Sequence, residues 1–168
     1  MTGRVIVTTD LRMEYPTAAG TIAALCHPGL EVTAGSSLAV MGPSGCGKST
    51  LLALMAGLST PTKGSVTIGD TVVSALTERE RTAFRCCFLG MVYQSDNLLP
   101  HLTVTENVVL PAAIANRRAG SGETLDPYAL LASLGLQGLE QRYPDQLSGG
   151  QRQRVAVARA VVHRPDVI

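Results

Sequence analysis

Gly42-Pro43-Ser44-Gly45-Cys46-Gly47-Lys48-Ser49-Thr50 is the stretch that decides how this chain is read. It fits G-x-x-x-x-G-K-[ST], the spacing of a phosphate-binding loop. Leu38-Ala39-Val40-Met41 before it predicts a short buried strand, and Leu51 to Gly57 after it predicts a buried helix that Gly57 ends. The glycines let successive amide N–H groups turn inward, and the helix N-terminus adds its positive dipole end. Lys48 supplies a full charge for the outer phosphates of a nucleoside triphosphate, and the Ser49 hydroxyl is of the kind that ligates Mg²⁺.

The bounds around this stretch are ordinary. With 168 residues and 45% apolar composition, the chain suits one domain with a real core. A formal net charge of +1 gives no electrostatic footprint for nucleic acid. The longest apolar run, Leu51 to Ala56, falls far short of a membrane span, and Met1 to Asp10 lacks the apolar stretch of a signal peptide. Cys26, Cys46, Cys86 and Cys87 show no C-x-x-C spacing, so neither a zinc site nor a redox motif is expected, and a cytosolic, reduced chain is. Cys46, inside the loop, is a candidate for nucleotide-protected thiol labelling.

In chain order, strands are predicted at Val5–Val7 and Leu30–Val32, with Tyr15 between them as a partly buried surface residue. Ser65 to Asp70 alternates and turns at Gly69-Asp70 into Thr71-Val72-Val73 as a hairpin. Thr77 and Glu80 have capping-box spacing ahead of a short charged helix. Phe88 to Tyr93 reads as a second buried strand ending at Gln94. Thr103 and Glu106 cap a further helix that Pro111 is expected to kink, and Asn116 to Glu123 reads as an exposed loop. Asp126-Pro127 opens a helix that Gly135 stops.

Leu147-Ser148-Gly149-Gly150-Gln151 starts the second informative segment. Ser148 and Gln151 have capping-box spacing, so a helix is predicted from here to about His163. Its two leading glycines leave the first amides uncovered, which makes a second anion site.

The phosphate loop, Gln94 at a strand end, LSGGQ at 147–151 and the run from Arg154 to Pro165 together resemble the nucleotide-binding domain of ATP-binding-cassette (ABC) transporters. The likeness covers nearly the whole chain, and Tyr93 to Val108 is similar to the lipoprotein-release, macrolide-export, antimicrobial-peptide-detoxifying and cell-division subgroup. It implies an α/β phosphate-loop NTPase fold with an N-terminal antiparallel β region, a partial parallel core sheet and a helical subdomain. The division it implies is a core over residues 1–94, a helical subdomain over 95–158 and a return to the core over 159–168. The resemblance implies that Gly42, Pro43, Ser44, Gly45, Cys46, Gly47, Lys48, Ser49 and Thr50 hold ATP, with Ser49 and Gln94 at Mg²⁺. Gln94 is also the implied contact to the attacking water, and Tyr15 the implied adenine contact. Ser148, Gly149, Gly150 and Gln151 would reach the nucleotide of a second nucleotide-binding domain in a head-to-tail sandwich. Separate transmembrane permease subunits are the implied partners, and the implied location is the cytoplasmic face of the membrane.

One departure stands beside these matches. The sequence ends at Asp166-Val167-Ile168, before the Asp-Glu pair and the switch histidine that the family places further on. His27, His101 and His163 do not match that histidine. The expectation for these 168 residues by themselves is weak Mg-nucleotide binding, little turnover and marginal stability. Three other readings stay open: a cell-division-type nucleotide-dependent scaffold, a DNA-repair or translation ATPase, and an inactive fragment.

Overall fold

The computed structural model describes residues 3–18, 20–119 and 124–168, which form two compact units, residues 1–82 and residues 83–168. The first unit is built on a long hairpin, β1 (Ile6–Thr17) and β2 (Gly20–Val32), extended by β3 (Lys63–Ile68) and β4 (Thr71–Val72). The four strands are antiparallel in the order β2-β1-β3-β4. β1 begins with buried Ile6 and Thr8 alternating with exposed Val7 and Thr9, the period-two pattern of a half-covered sheet. Helix α1 (Lys48–Met55) lies against β1 and β2 and buries Leu51, Leu54 and Met55. With Ile6, Leu11, Val66, Ile68 and Val73 these residues make up the apolar interior of this unit.

Gly57 takes φ 64°, ending α1 as predicted, and Gly69 takes φ 57° in the β3–β4 turn. The two strands predicted near the N-terminus are real but much longer, because the hairpin continues through Asp10 to Pro28. Leu38–Met41 is not a strand: it has no ladder partner, and Leu38 and Met41 are 49% and 88% exposed. A strand exists only by pairing, and four apolar residues do not carry their partner with them.

The second unit is helical. Helix α2 (Glu78–Phe88) crosses from the first unit, capped by the reciprocal Thr77–Glu80 box. It absorbs Phe88, so the buried strand expected over Phe88–Tyr93 is absent. What remains of it is one parallel bridge, Leu89 to Val167, while Val92 and Tyr93 are exposed. Helices α3 (Val104–Ala119), α4 (Pro127–Ser133) and α5 (Gly149–Val161) pack together. Val104, Val108 and Ala112 of α3 face Leu131 of α4, and Val155 and Ala158 of α5 join them with Val162 just beyond the helix end. The i, i+3, i+4 spacing puts these residues on one stripe of each helix.

α3 runs on through Pro111, and its backbone reaches Ala119, so Asn116–Ala119 is helix rather than loop. The rest of that expected loop, residues 120–123, lies outside the described residues. Glu106 accepts from the Thr103 amide and Thr103 Oγ1 faces the Glu106 amide, which holds the Glu106 carboxyl below its usual pKa. Asp126 caps α4 through the amides of Tyr128 and Ala129, with Pro127 in the first turn and Gly135 at φ 67° beyond the end.

His163 follows α5. Its Nε2 lies 3.1 Å from the Leu89 carbonyl, whereas Nδ1 is buried without a partner. Burial pushes the imidazole pKa below its ordinary 6.5, and the bond to Leu89 only partly offsets this. The unfolded chain therefore takes up a proton that the folded chain resists. His163 contributes stability above the unfolded pKa, and this is lost as pH falls from about 6.5 toward the folded value. Chemical denaturation across pH 5 to 8 should show that slope in the parent and a flatter one in His163→Gln. An unchanged slope in the variant would remove His163 as its source.

A glycine loop on a helix N-terminus and a second glycine-led helix

The loop before α1 is exposed over Gly42–Cys46 and closes on itself where the Cys46 amide donates to the Pro43 carbonyl at 3.4 Å. Gly45 and Gly47 take φ 82° and 91°, a left-handed backbone that residues with a Cβ avoid. Gly47 is the N-cap of α1 and carries no side chain to cap it, and the first turn holds no acidic residue. The orphan amides of that turn and the positive dipole end are thus left for an anion.

Gly47 is required for a second reason. β1 and β2 slip register between Met13–Leu25 and Glu14–Ala23, which leaves Ala24 as the extra residue of a β-bulge. A Cβ on Gly47 would stand 2.7 Å from the Ala24 carbonyl oxygen and 3.1 Å from Leu25 Cδ1. The bulge seats the loop by backbone contact. Nothing in the sequence pattern points to Ala24, because only the two ends of the hairpin that creates the bulge carry a strand signal.

Lys48 turns back over the loop. Its Nζ donates to the carbonyls of Gly42 at 2.9 Å and Pro43 at 2.7 Å, with Cys46 Sγ at 3.7 Å. The ammonium sits at the loop mouth, on backbone acceptors that a phosphate oxygen can replace. Ser49 is exposed beside it and Thr50 is half-buried. Tyr15 is 45% exposed, opposite Ile22 near the hairpin end, two residues along β2 from the bulge that supports Gly47. An open concavity of about 480 Å³ lies elsewhere on the sheet, between Asp10, Arg12, Cys26, His27 and Lys63. No loop residue lines it.

The second unit brings together the other expected residues. Ser148 caps α5 by accepting from the Gln151 amide at 3.3 Å, and Gln151 Oε1 accepts from the Ser148 amide at 2.8 Å. Gly149 and Gly150 are exposed and helical, and a Cβ on Gly150 would meet nothing within 4 Å. Neither backbone strain nor packing within the chain calls for glycine there, although glycine in a helix costs about 1 kcal/mol against alanine. Their smallness leaves room above the first amides of α5 for something outside the chain.

α5 also grips the segment that begins at Gln94. Gln153 Nε2 donates to the Gln94 carbonyl at 2.9 Å, and Arg152 Nε to Asp96 Oδ2 at 2.9 Å. Arg159 donates to the carbonyls of Asp96 at 2.7 Å and Asn97 at 2.6 Å. Burial lowers the Arg159 pKa, Asp96 opposes this, and the guanidinium remains charged. Asn97 sits in the left-handed region at φ 49°, which turns both carbonyls toward Arg159. Arg152 and Arg159 were not singled out as site residues, because an arginine on a helix reads as a solvated face until its partner is in place. Among the described residues no group of three or more His, Cys, Asp or Glu could hold a metal ion.

Replacing Gly47 by Ala should collapse the loop, because the new Cβ meets backbone rather than a flexible side chain. Anion or nucleotide binding should fall at least about tenfold, with the far-ultraviolet circular dichroism unchanged. Gly150→Ala, where nothing clashes, should leave Tm unchanged or raise it slightly. A Gly47→Ala protein that binds like the parent would show that the bulge contact is soft.

The profile of the ABC transporter family matches residues 26–168. The chain is 41% identical to "Lipoprotein-releasing system ATP-binding protein LolD 1" of Rhodopirellula baltica, over 97% of this chain and 71% of that protein. It is also 41% identical to "Macrolide export ATP-binding/permease protein MacB" of the same organism, over 94% of this chain and 23% of that one. Among solved structures, the dimeric ABC transporter cassette MJ0796 superposes with TM-score 0.84 at 35% identity, over 95% of this chain and 70% of that chain. A second structure of MJ0796, in a post-hydrolysis state with ADP and Pi, matches equally well. With this coverage, and with both glycine-led helices in place, the chain belongs to the ABC transporter family, among its ATP-binding subunits.

Proposed function

We propose that this chain binds Mg-ATP through Gly42–Thr50 and passes the binding and hydrolysis cycle to a separate membrane partner of the lipoprotein-release or macrolide-export kind. The observation that carries this reading is the uncapped first turn of α1 behind an exposed loop, with Lys48 resting on replaceable acceptors. The amides of residues 45–50 would hold the β- and γ-phosphates, and Lys48 would exchange the carbonyls of Gly42 and Pro43 for phosphate oxygens. The Ser49 hydroxyl fits a magnesium ion, which commonly takes one or two protein ligands and fills its shell with phosphate and water. A magnesium ion held there would supply charge neutralisation at the phosphates. Gln94 is the proposed partner of the ion or the attacking water, and Tyr15 the proposed adenine contact.

Ser148, Gly149, Gly150 and Gln151 are proposed to receive the γ-phosphate held by a second copy. The names of the relatives and the dimeric MJ0796 cassette support this reading. A helix N-terminus facing a γ-phosphate loses its anion on hydrolysis, which gives the differential interaction an ATP-driven switch needs. Among the described residues no helix is long and apolar enough to cross a membrane. The proposed location, the inner face of the membrane, therefore depends on the partner.

Titration with Mg-ATP followed by calorimetry should show one site per chain. Lys48→Ala should weaken it about 10- to 100-fold, the loss of one charge-assisted hydrogen bond set. Mg-ATP should also slow alkylation of the exposed Cys46 and leave Cys26 unaffected. Equal affinity in the parent and Lys48→Ala would overturn the assignment of the loop.

A further inference from the structure

Asn107 is one of two buried polar side chains among the described residues and is 0% exposed. It sits on the apolar stripe of α3, between Val104 and Val108, where a leucine would suit the bundle. All its side-chain bonds go to the backbone of the segment that leads away from Gln94. Oδ1 accepts from the Leu99 amide at 2.8 Å. Nδ2 faces the carbonyls of Leu99 at 3.1 Å, Leu102 at 3.0 Å and Thr103 at 3.0 Å. Two hydrogens are thus shared among three acceptors. The amide orientation is fixed by chemistry, since a flipped group would set its NH₂ against the Leu99 N–H and its oxygen against three carbonyls.

Other bonds hold the two ends of this turn, and Thr103 shares a capping box with Glu106. Leu102 N–H donates to the Leu99 carbonyl at 3.2 Å, and Leu98 N–H to Asp96 Oδ1 at 3.3 Å. Leu98 packs on the helical core, while Leu99, Pro100 and His101 are exposed. A fully satisfied buried amide specifies one arrangement of its partners. Here the partners belong to an exposed turn rather than to the bundle.

We propose that Asn107 is a positioning residue. In the strap from Gln94 to Thr103 it sets the conformation of the second half, Leu98 to Thr103, while Gln153, Arg152 and Arg159 hold the first half, Gln94 to Asn97. Gln94 is thereby tied to the helical unit through its own carbonyl and through the segment that follows it. The bearing on ATP turnover rests on the function proposed above, but the positioning itself can be tested without nucleotide.

The test is site-resolved hydrogen exchange on three forms of the chain. In Asn107→Asp the shape is kept, but only the protonated acid can donate toward these carbonyls, with one O–H in place of the amide's two hydrogens. Desolvation raises the pKa of such a carboxyl, so the acid persists well above its usual range. After correction for intrinsic rates, the Leu99 and Leu102 amides should exchange within about threefold of the parent at pH 5, and at least tenfold faster at pH 8. The parent, measured in parallel, controls for His101 and Glu106. In Asn107→Leu the volume is kept and every polar bond is lost, so both amides should open at least tenfold at each pH. The amides of Val108 and Val155 should remain protected within about threefold in all forms. Asn107 would be a plain core residue if Asn107→Asp showed no pH dependence at the strap. The same would follow if protection fell alike across α3, α4 and α5, or if Asn107→Leu left Leu99 and Leu102 unchanged. Calorimetric titration of the parent with Mg-ATP tests the nucleotide reading separately.

Discussion

The carbonyl oxygen of Ala24 stands 2.7 Å from where a Cβ at position 47 would be, and the glycine loop packs closely on the hairpin there. The extra residue of a β-bulge is left out of the ladder, so its backbone can be aimed elsewhere. Here it supports a glycine already in the left-handed region, and the two constraints agree on the residue. The loop needs amides that point outward, a helix start without a cap, and a floor beneath it. The first two come from local sequence. The floor comes from a hairpin whose strands lie some twenty residues earlier.

The helical unit solves a related problem with side chains. Its loop from Gln94 to Thr103 has few backbone partners of its own, so α5 and α3 provide them. Arg152, Gln153 and Arg159 take the first half, and Asn107 takes the second. Charge-assisted bonds from a half-buried guanidinium to carbonyls hold the loop without burying an unpaired ion. The same helix carries Gly149 and Gly150 at its start. One rigid element therefore holds both the Gln94 segment and the open amides.

Capped helices were legible because their signals are local. Thr77–Glu80, Asp126-Pro127 and Ser148–Gln151 each satisfy their own helix starts through bonds between neighbours in sequence. Two expected strands failed for the opposite reason. Leu38–Met41 and Phe88–Tyr93 are apolar enough for strands, yet the first has no ladder and the second keeps one bridge at Leu89. An apolar run of this length names no partner, and helix α2 takes Phe88 because the capped helix before it continues. Pro111 lies inside α3 and does not end it. The stripe of Val104, Val108 and Ala112 keeps the helix packed across the missing amide bond.

Residue type and order alone carry a glycine-rich loop ending in Lys-Ser-Thr, a helix opened by Ser-Gly-Gly, and membership of the ABC transporter family. These depend on residue type and near spacing, which a chain carries wherever it folds. It takes the folded chain to show that Ala24 lies under Gly47, that Lys48 rests on Gly42 and Pro43, and that Asn107 and Arg159 hold the Gln94 segment. Apart from Lys48, these are contacts between residues far apart in sequence or hidden in an apolar stripe. Each exists because a buried or strained backbone group must find a partner, and the chain pattern does not say which side chain will reach it.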